Sequence, residues 1–169
     1  MKTWLFAMLG TGVLCLTASA QAGQSLVDIL VKHFETSKEF TIAVADKMPA
    51  EQYSFKATDA EVGFGEMVNH IANANNNYCS SAFGGTAPPK GEDHSKDAAT
   101  KRLAASFDLC IDGLKKMSDA DLMKIVGKAP RQSTAFERFW GGFTHTAHHR
   151  AQLEVYLRLK GIQPPDYKF

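Results

Sequence analysis

Helix start and stop signals divide this chain more legibly than any other feature, and they constrain it to a bundle of helices. Ser25-Leu26-Val27-Asp28 reads as a capping box, and Pro49 closes the helix that it opens. Thr58-Asp59-Ala60-Glu61 reads as a second box, with a helix running until Gly84-Gly85 and Pro88-Pro89 break it. A third helix starts near Ser95 and carries Leu103, Phe107, Cys110, Ile111 and Leu114 at helical spacing. Ser118-Asp119-Ala120-Asp121 caps a short turn around Leu122 to Val126. Pro130 breaks the chain before a last box, Thr134-Ala135-Phe136-Glu137, and the final helix continues to Gly161, beyond which Pro164-Pro165 forbid extension. No segment of useful length alternates as a strand would. Four long helices joined by moderate connections predict an all-α, antiparallel four-helix bundle.

The first 22 residues are expected to lie outside that fold. A basic Met1-Lys2-Thr3 segment precedes an apolar run from Trp4 to Thr17, and small residues follow at Ala18-Ser19-Ala20 and Ala20-Gln21-Ala22. This is the plan of a cleaved secretory signal peptide, too short and too weakly flanked for a membrane span. The mature chain then begins near Gly23 and forms one domain over residues 23–169. We expect an exported protein, periplasmic or secreted, with no membrane attachment after cleavage.

With 19 basic and 18 acidic residues and no basic stripe, the chain lacks the electrostatic footprint of a nucleic-acid binder. An exported address permits a disulfide between Cys79 and Cys110. Both lie inside predicted helices, away from turns where chain segments converge, so two buried thiols are the expectation. No CxxC or CxxCH occurs, which removes thioredoxin-type chemistry and c-type haem attachment.

The last helix carries Thr144-His145-Thr146-Ala147-His148-His149-Arg150-Ala151-Gln152-Leu153. His145 and His149 are one turn apart and share a face. With His145 at 0° on a helical wheel, His149 falls at about 40°, Tyr156 at about 20° and Gln152 at about −20°. Arg150, Glu154 and Arg158 fall between roughly 140° and 220°. The wheel therefore predicts both histidines at the centre of the buried face with the charges opposite. Two interior imidazoles need partners, and metal coordination and a hydrogen-bond network are both solutions. A third donor has to come from another helix. His70, at the edge of an arc formed by Met67, Ile71, Ala74 and Tyr78, is the candidate, with Glu66 and Asn77 as acceptors for the rings.

One histidine in the second helix and His-x-x-x-His-Arg-x-Gln in the last resembles the DinB-like (damage-inducible) superfamily. The likeness extends from about Ser25 to Tyr167. It includes Met48-Pro49-Ala50-Glu51-Gln52-Tyr53 after helix one, Glu66-Met67-Val68-Asn69-His70-Ile71 in helix two, and His148-His149-Arg150-Ala151-Gln152-Leu153. The resemblance implies a four-helix bundle of the up-and-down mirror variant, holding a divalent metal through three histidines. Carried over by position, the ligands are His70, His145 and His149. Many members have glycine where this chain has Ala151, and the best-understood relatives act in the cytosol. Some use small thiol cofactors, chemistry that an exported address calls into question.

His148 is expected at the surface, His33 on a helix face and His94 in a loop. Trp140, Phe143 and Tyr156 read as core or groove packing, and Gly141-Gly142 as a place of close helix approach. Glu66 is a candidate general base, although a solvated charge or ring acceptor is the plainer reading. A di-iron carboxylate centre fails on spacing, because Glu66 and His70 are four apart and no second pair exists.

Three functions remain. The first is a metal-dependent hydrolase or thiol-type transferase acting on a small molecule. The second is a metal site that only staples the bundle. The third is an exported interaction module of the cell envelope. Three protein ligands rather than four favour an open, catalytic-type site. Zinc, nickel, iron and manganese are not distinguished by nitrogen donors alone, and a homodimer is compatible with all three functions.

Overall fold

The structure, a computed structural model, describes residues 23–169; the expected signal peptide lies outside the described residues. Four long helices dominate: α1 (Leu26–Lys47), α2 (Phe64–Ala82), α3 (Lys96–Leu114) and α5 (Ala135–Leu159), with a single turn α4 (Asp119–Leu122) before the last. A 3-10 turn spans Ala50–Gln52, and a two-residue antiparallel ladder pairs β1 (Ile125–Val126) with β2 (Ser133–Thr134). The all-α expectation holds, but the antiparallel order does not extend to α2 and α3, which run the same way: Asn69 meets Arg102, Asn75 meets Ser106 and Cys79 meets Cys110.

Several ends follow from the sequence signals. Ser25 Oγ accepts from the Asp28 N–H at 3.0 Å. Two more first-turn donors of α1, the Leu26 and Val27 N–H groups, are taken by the Asp119 carboxylate of α4, each at 3.0 Å. Full capping boxes open α4 and α5, through Ser118 with Asp121 and Thr134 with Glu137.

The start of α2 departs from expectation. Thr58–Glu61 forms a turn, not a capping box, and the helix begins at Phe64 behind Gly63. Its first donors are satisfied instead by backbone: Phe64 N–H donates to Phe55 O at 2.9 Å and Gly65 N–H to Tyr53 O at 2.8 Å. Carbonyls folded back from the preceding segment do the work of a side-chain cap.

Each long helix has two principal neighbours. α1 packs on α3 and α5, and α2 packs on the same pair, so α1 and α2 occupy one diagonal of the bundle. The core between them holds Phe34, Phe40, Phe107, Phe139, Leu153 and Leu157, all buried. Each such side chain contributes about 1.5–3 kcal/mol by leaving water. A polar bridge runs through this core. Thr146 Oγ1 of α5 donates to Asn75 Oδ1 of α2 at 2.9 Å, and Asn75 Nδ2 lies 3.4 Å from Ser106 Oγ of α3. Buried and satisfied, it fixes how α5 is rotated against α2.

Cys79 and Cys110 are joined, which corrects the expectation of free thiols. The two helices carrying them lie side by side, bringing the Cα atoms within 5.2 Å along the α2–α3 seam, about one turn before each helix ends.

The buried face of α5 also differs from the wheel. It comprises Ala135, Phe139, Gly142, Thr146, Arg150, Leu153, Tyr156 and Leu157, and so centres about 90° from His145. Arg150 lies inside because its guanidinium stacks 4.4 Å over the Phe40 ring. His145 and His149 consequently sit at the edge of the face, half-buried, where α5 meets α2.

Candidate metal centre

Close approach of α2 and α5 brings the site together. A Cβ on Gly141 would lie 2.8 Å from Tyr78 Cε1, and one on Gly142 would lie 3.1 Å from Tyr78 Cβ. The paired glycines let Tyr78 press onto α5, as expected, and its ring reaches 6.0 Å from that of His145.

His70 Nε2 lies 3.1 Å from His145 Nε2 and 3.1 Å from His149 Nε2. All three nitrogens lie within 4.8 Å of one another. The geometry thus unites His70, His145 and His149. Two nitrogens at metal–imidazole distance from one ion and this far apart subtend roughly 100°, near the tetrahedral angle.

Hydrogen bonding alone accounts poorly for the cluster. His149 Nδ1 donates to Gln152 Oε1 at 2.5 Å, which leaves a lone pair on His149 Nε2. The single position on His70 Nε2 then has to serve two neighbours at once, which an imidazole nitrogen cannot do with good geometry. A shared cation uses all three lone pairs together, so the donor set fits a divalent metal.

Electrostatics point the same way. Burial, and then the neighbouring His149, His70 and His148 rings, push His145 down to about 4. Burial lowers His149 as well, opposed by its bond to Gln152. Neutral imidazole is the form that binds metal. His145 Nδ1 is buried without a hydrogen-bond partner.

The acceptors around the rings are not the expected ones. Asn77 is exposed, and Glu66 lies on the wall of the adjoining groove, whereas Gln152 is bonded to the His149 ring. Spacing of three on the last helix was the signal for Gln152. His148 is exposed, as expected, with its ring 4.8 Å from that of His149. His33 stands elsewhere, stacked 6.0 Å from Phe169.

His94 is the residue that spacing does not reveal. Its loop crosses the start of α2 at Gly65, where a Cβ would meet the His94 carbonyl oxygen at 2.1 Å. Asn69, buried, donates to Asp93 O at 2.8 Å and approaches His94 Nδ1 at 2.7 Å, while Arg102 Nη1 donates to its Oδ1 at 2.7 Å. His94 therefore lines a groove of about 420 Å³ beside the cluster, together with Glu61, Glu66, Asn73, His70 and His149. Val62, which also lines the groove, is held by Tyr156, whose hydroxyl donates to Val62 O at 2.9 Å.

A helical bundle with three convergent imidazoles at the edge of its second and last long helices defines the class of protein. The DinB superfamily model matches residues 33–153, and the chain belongs to that superfamily. Two solved structures share the fold. A DinB-like protein from Bacillus cereus ATCC 10987 is 18% identical with a TM-score of 0.75, covering 85% of this chain and 98% of that one. The DinB-like protein YjoA from Bacillus subtilis is 21% identical with a TM-score of 0.70, covering 83% and 97%. Comparison with curated proteins finds no match.

Proposed function

We propose that the protein is an exported, metal-dependent enzyme of the DinB superfamily, with His70, His145 and His149 holding one divalent transition ion through Nε2. The reaction class is hydrolysis or thiol-type transfer on a small molecule. The observation that carries this reading is the convergence of three Nε2 atoms from two helices. Three histidines leave a coordination position free, as catalytic sites do. A bound ion would supply Lewis acidity at that position.

The chain's own groups have separable tasks. Gln152 fixes the His149 tautomer so that its Nε2 lone pair faces the other two rings. Glu61 and Glu66 place carboxylates on the groove wall within the space a substrate would occupy. With both Asn69 Nδ2 hydrogens committed to Asp93 O and His94 Nδ1, His94 carries its proton on Nε2 and can donate it. The Cys79–Cys110 disulfide supports an oxidising compartment and hence export.

Metal analysis of the purified protein after reconstitution at neutral pH tests the reading. About one equivalent of a transition metal is expected. Less than about a tenth of an equivalent of any such metal overturns it.

A further inference from the structure

A second cavity lies on the far side of α5, away from the histidine cluster. It has a volume of about 370 Å³ and is bounded by the start of α1, the first two thirds of α5, and Tyr167 and Phe169. Small-molecule sites begin at roughly this size. Leu26, Ile29, Phe136, Trp140 and Phe143 give it apolar walls, and Tyr167 and Phe169 close over it. Leu26, Trp140, Tyr167 and Phe169 remain exposed in spite of that packing.

His33 also lines the cavity, its ring stacked on Phe169, and one charged side chain interrupts the lining. Arg150 is only 5% exposed, yet it borders the cavity. A guanidinium has five N–H donors and cannot shed its charge. Those donors find little here: Ser37 Oγ lies 3.5 Å from Nη1, at the limit of a hydrogen bond. The Glu154 carboxylate lies 3.9 Å from Nε, beyond hydrogen-bond reach, and is shared with Arg158 Nη1 at 3.7 Å. The Phe40 and Phe169 rings, at 4.4 and 5.4 Å, hold the group in place without accepting its hydrogens. A buried cation with open donors, facing an apolar hollow, is complementary to an anion with an apolar body.

The geometry points to a binding site for a small apolar monocarboxylate, with its carboxylate on Arg150 and its hydrocarbon part between α1 and α5. Such a ligand pairs the guanidinium and covers the exposed aromatic rings in one step. The site is independent of the histidine cluster, so it stands or falls without the proposed metal chemistry.

Trp140 provides the readout; the other tryptophan is Trp4. Octanoate titrated into the purified protein should change tryptophan emission saturably, and Trp140→Phe should erase that change. Octanol, of matching chain length, should bind at least tenfold more weakly. Arg150→Met should remove the preference for octanoate. Ala147→Phe, which fills the cavity without touching the guanidinium, should abolish binding of both probes while leaving metal content unchanged, and it serves if the Arg150 variant does not fold. The proposal is overturned if octanoate gives no saturable response, if octanol binds equally well, if Ala147→Phe leaves binding intact, or if sedimentation shows a second copy covering this face.

Discussion

Gln152 Oε1 sits 2.5 Å from His149 Nδ1, three residues along the same helix. This contact sets which nitrogen of His149 points toward His70 and His145. Removing such an outer partner typically lowers metal affinity 10–100-fold. Gln152→Leu should therefore weaken binding by roughly tenfold or more in a competition titration against a chromogenic chelator, with the helical circular-dichroism spectrum unchanged. Gln152→Glu, which keeps an acceptor, should retain most of the affinity. Equal losses in the two variants would show that the contact does not orient the ring.

His148 and His149 are neighbours in sequence, but only His149 Nε2 lies 3.1 Å from His70 Nε2. Metal at about a hundred times its dissociation constant should stabilise the parent protein by about 2.7 kcal/mol. For a domain of this size that is a rise of roughly 5–10 °C in melting temperature. His149→Ala should lose the rise, and His148→Ala should keep it. Differential scanning calorimetry with and without metal gives the answer.

The helix count and three of the four long-helix starts were legible because Ser25 and Thr134 cap through their side chains, Ser95 occupies the N-cap position of α3, and the Pro and Gly breakers act locally. The start of α2 was not, since its cap consists of the Phe55 and Tyr53 carbonyls, which no side-chain pattern encodes. The three histidines were legible from a spacing of four on α5 and a resemblance on α2. Their place on the helix was misjudged for one reason: a wheel treats arginine as a surface residue, whereas Arg150 is buried against Phe40. Once Arg150 turns inward, His145 and His149 rotate to the edge, beside His70. Asn75 bridges α2 to α3 and α5, a role that no local sequence pattern marks. The His94 loop and the Cys79–Cys110 pairing depend on segments meeting in space, and spacing along one helix does not contain that information.

Acid should loosen the entry to the last helix. Hydrogen bonds from the Thr134 backbone and hydroxyl hold Glu137 below its ordinary value of 4.5. Lys124 and then Ser118 hold Asp121 well below 3.8. For a carboxylate with a depressed folded-state pKa, the unfolded chain takes up protons first on acidification. The stabilisation is thus complete above about pH 4.5 and is lost as pH falls through the folded values. Denaturant midpoints measured from pH 6 to pH 3 should fall below about pH 4.5, and the double variant Asp121→Asn, Glu137→Gln should start lower and show a shallower fall over that range. An unchanged slope would mean that these capping boxes do not carry the acid sensitivity.

The disulfide should account for a large share of stability. Cys79 and Cys110 are separated by 31 residues, a span that includes the loop carrying His94. Closing a loop of that length restricts the unfolded chain by about 3–4 kcal/mol in the chain-entropy account. That is a substantial part of the 5–15 kcal/mol that holds a typical domain together. Cys79→Ser with Cys110→Ser, or reduction by a phosphine, should lower the denaturation free energy by about that amount in urea at neutral pH. Metal affinity should fall less than tenfold, because the histidines lie on the α2–α5 seam and the disulfide on the α2–α3 seam. A loss of stability under about 1 kcal/mol would show that the helices hold the same alignment without the bond, and that the unfolded chain gains little freedom from its removal.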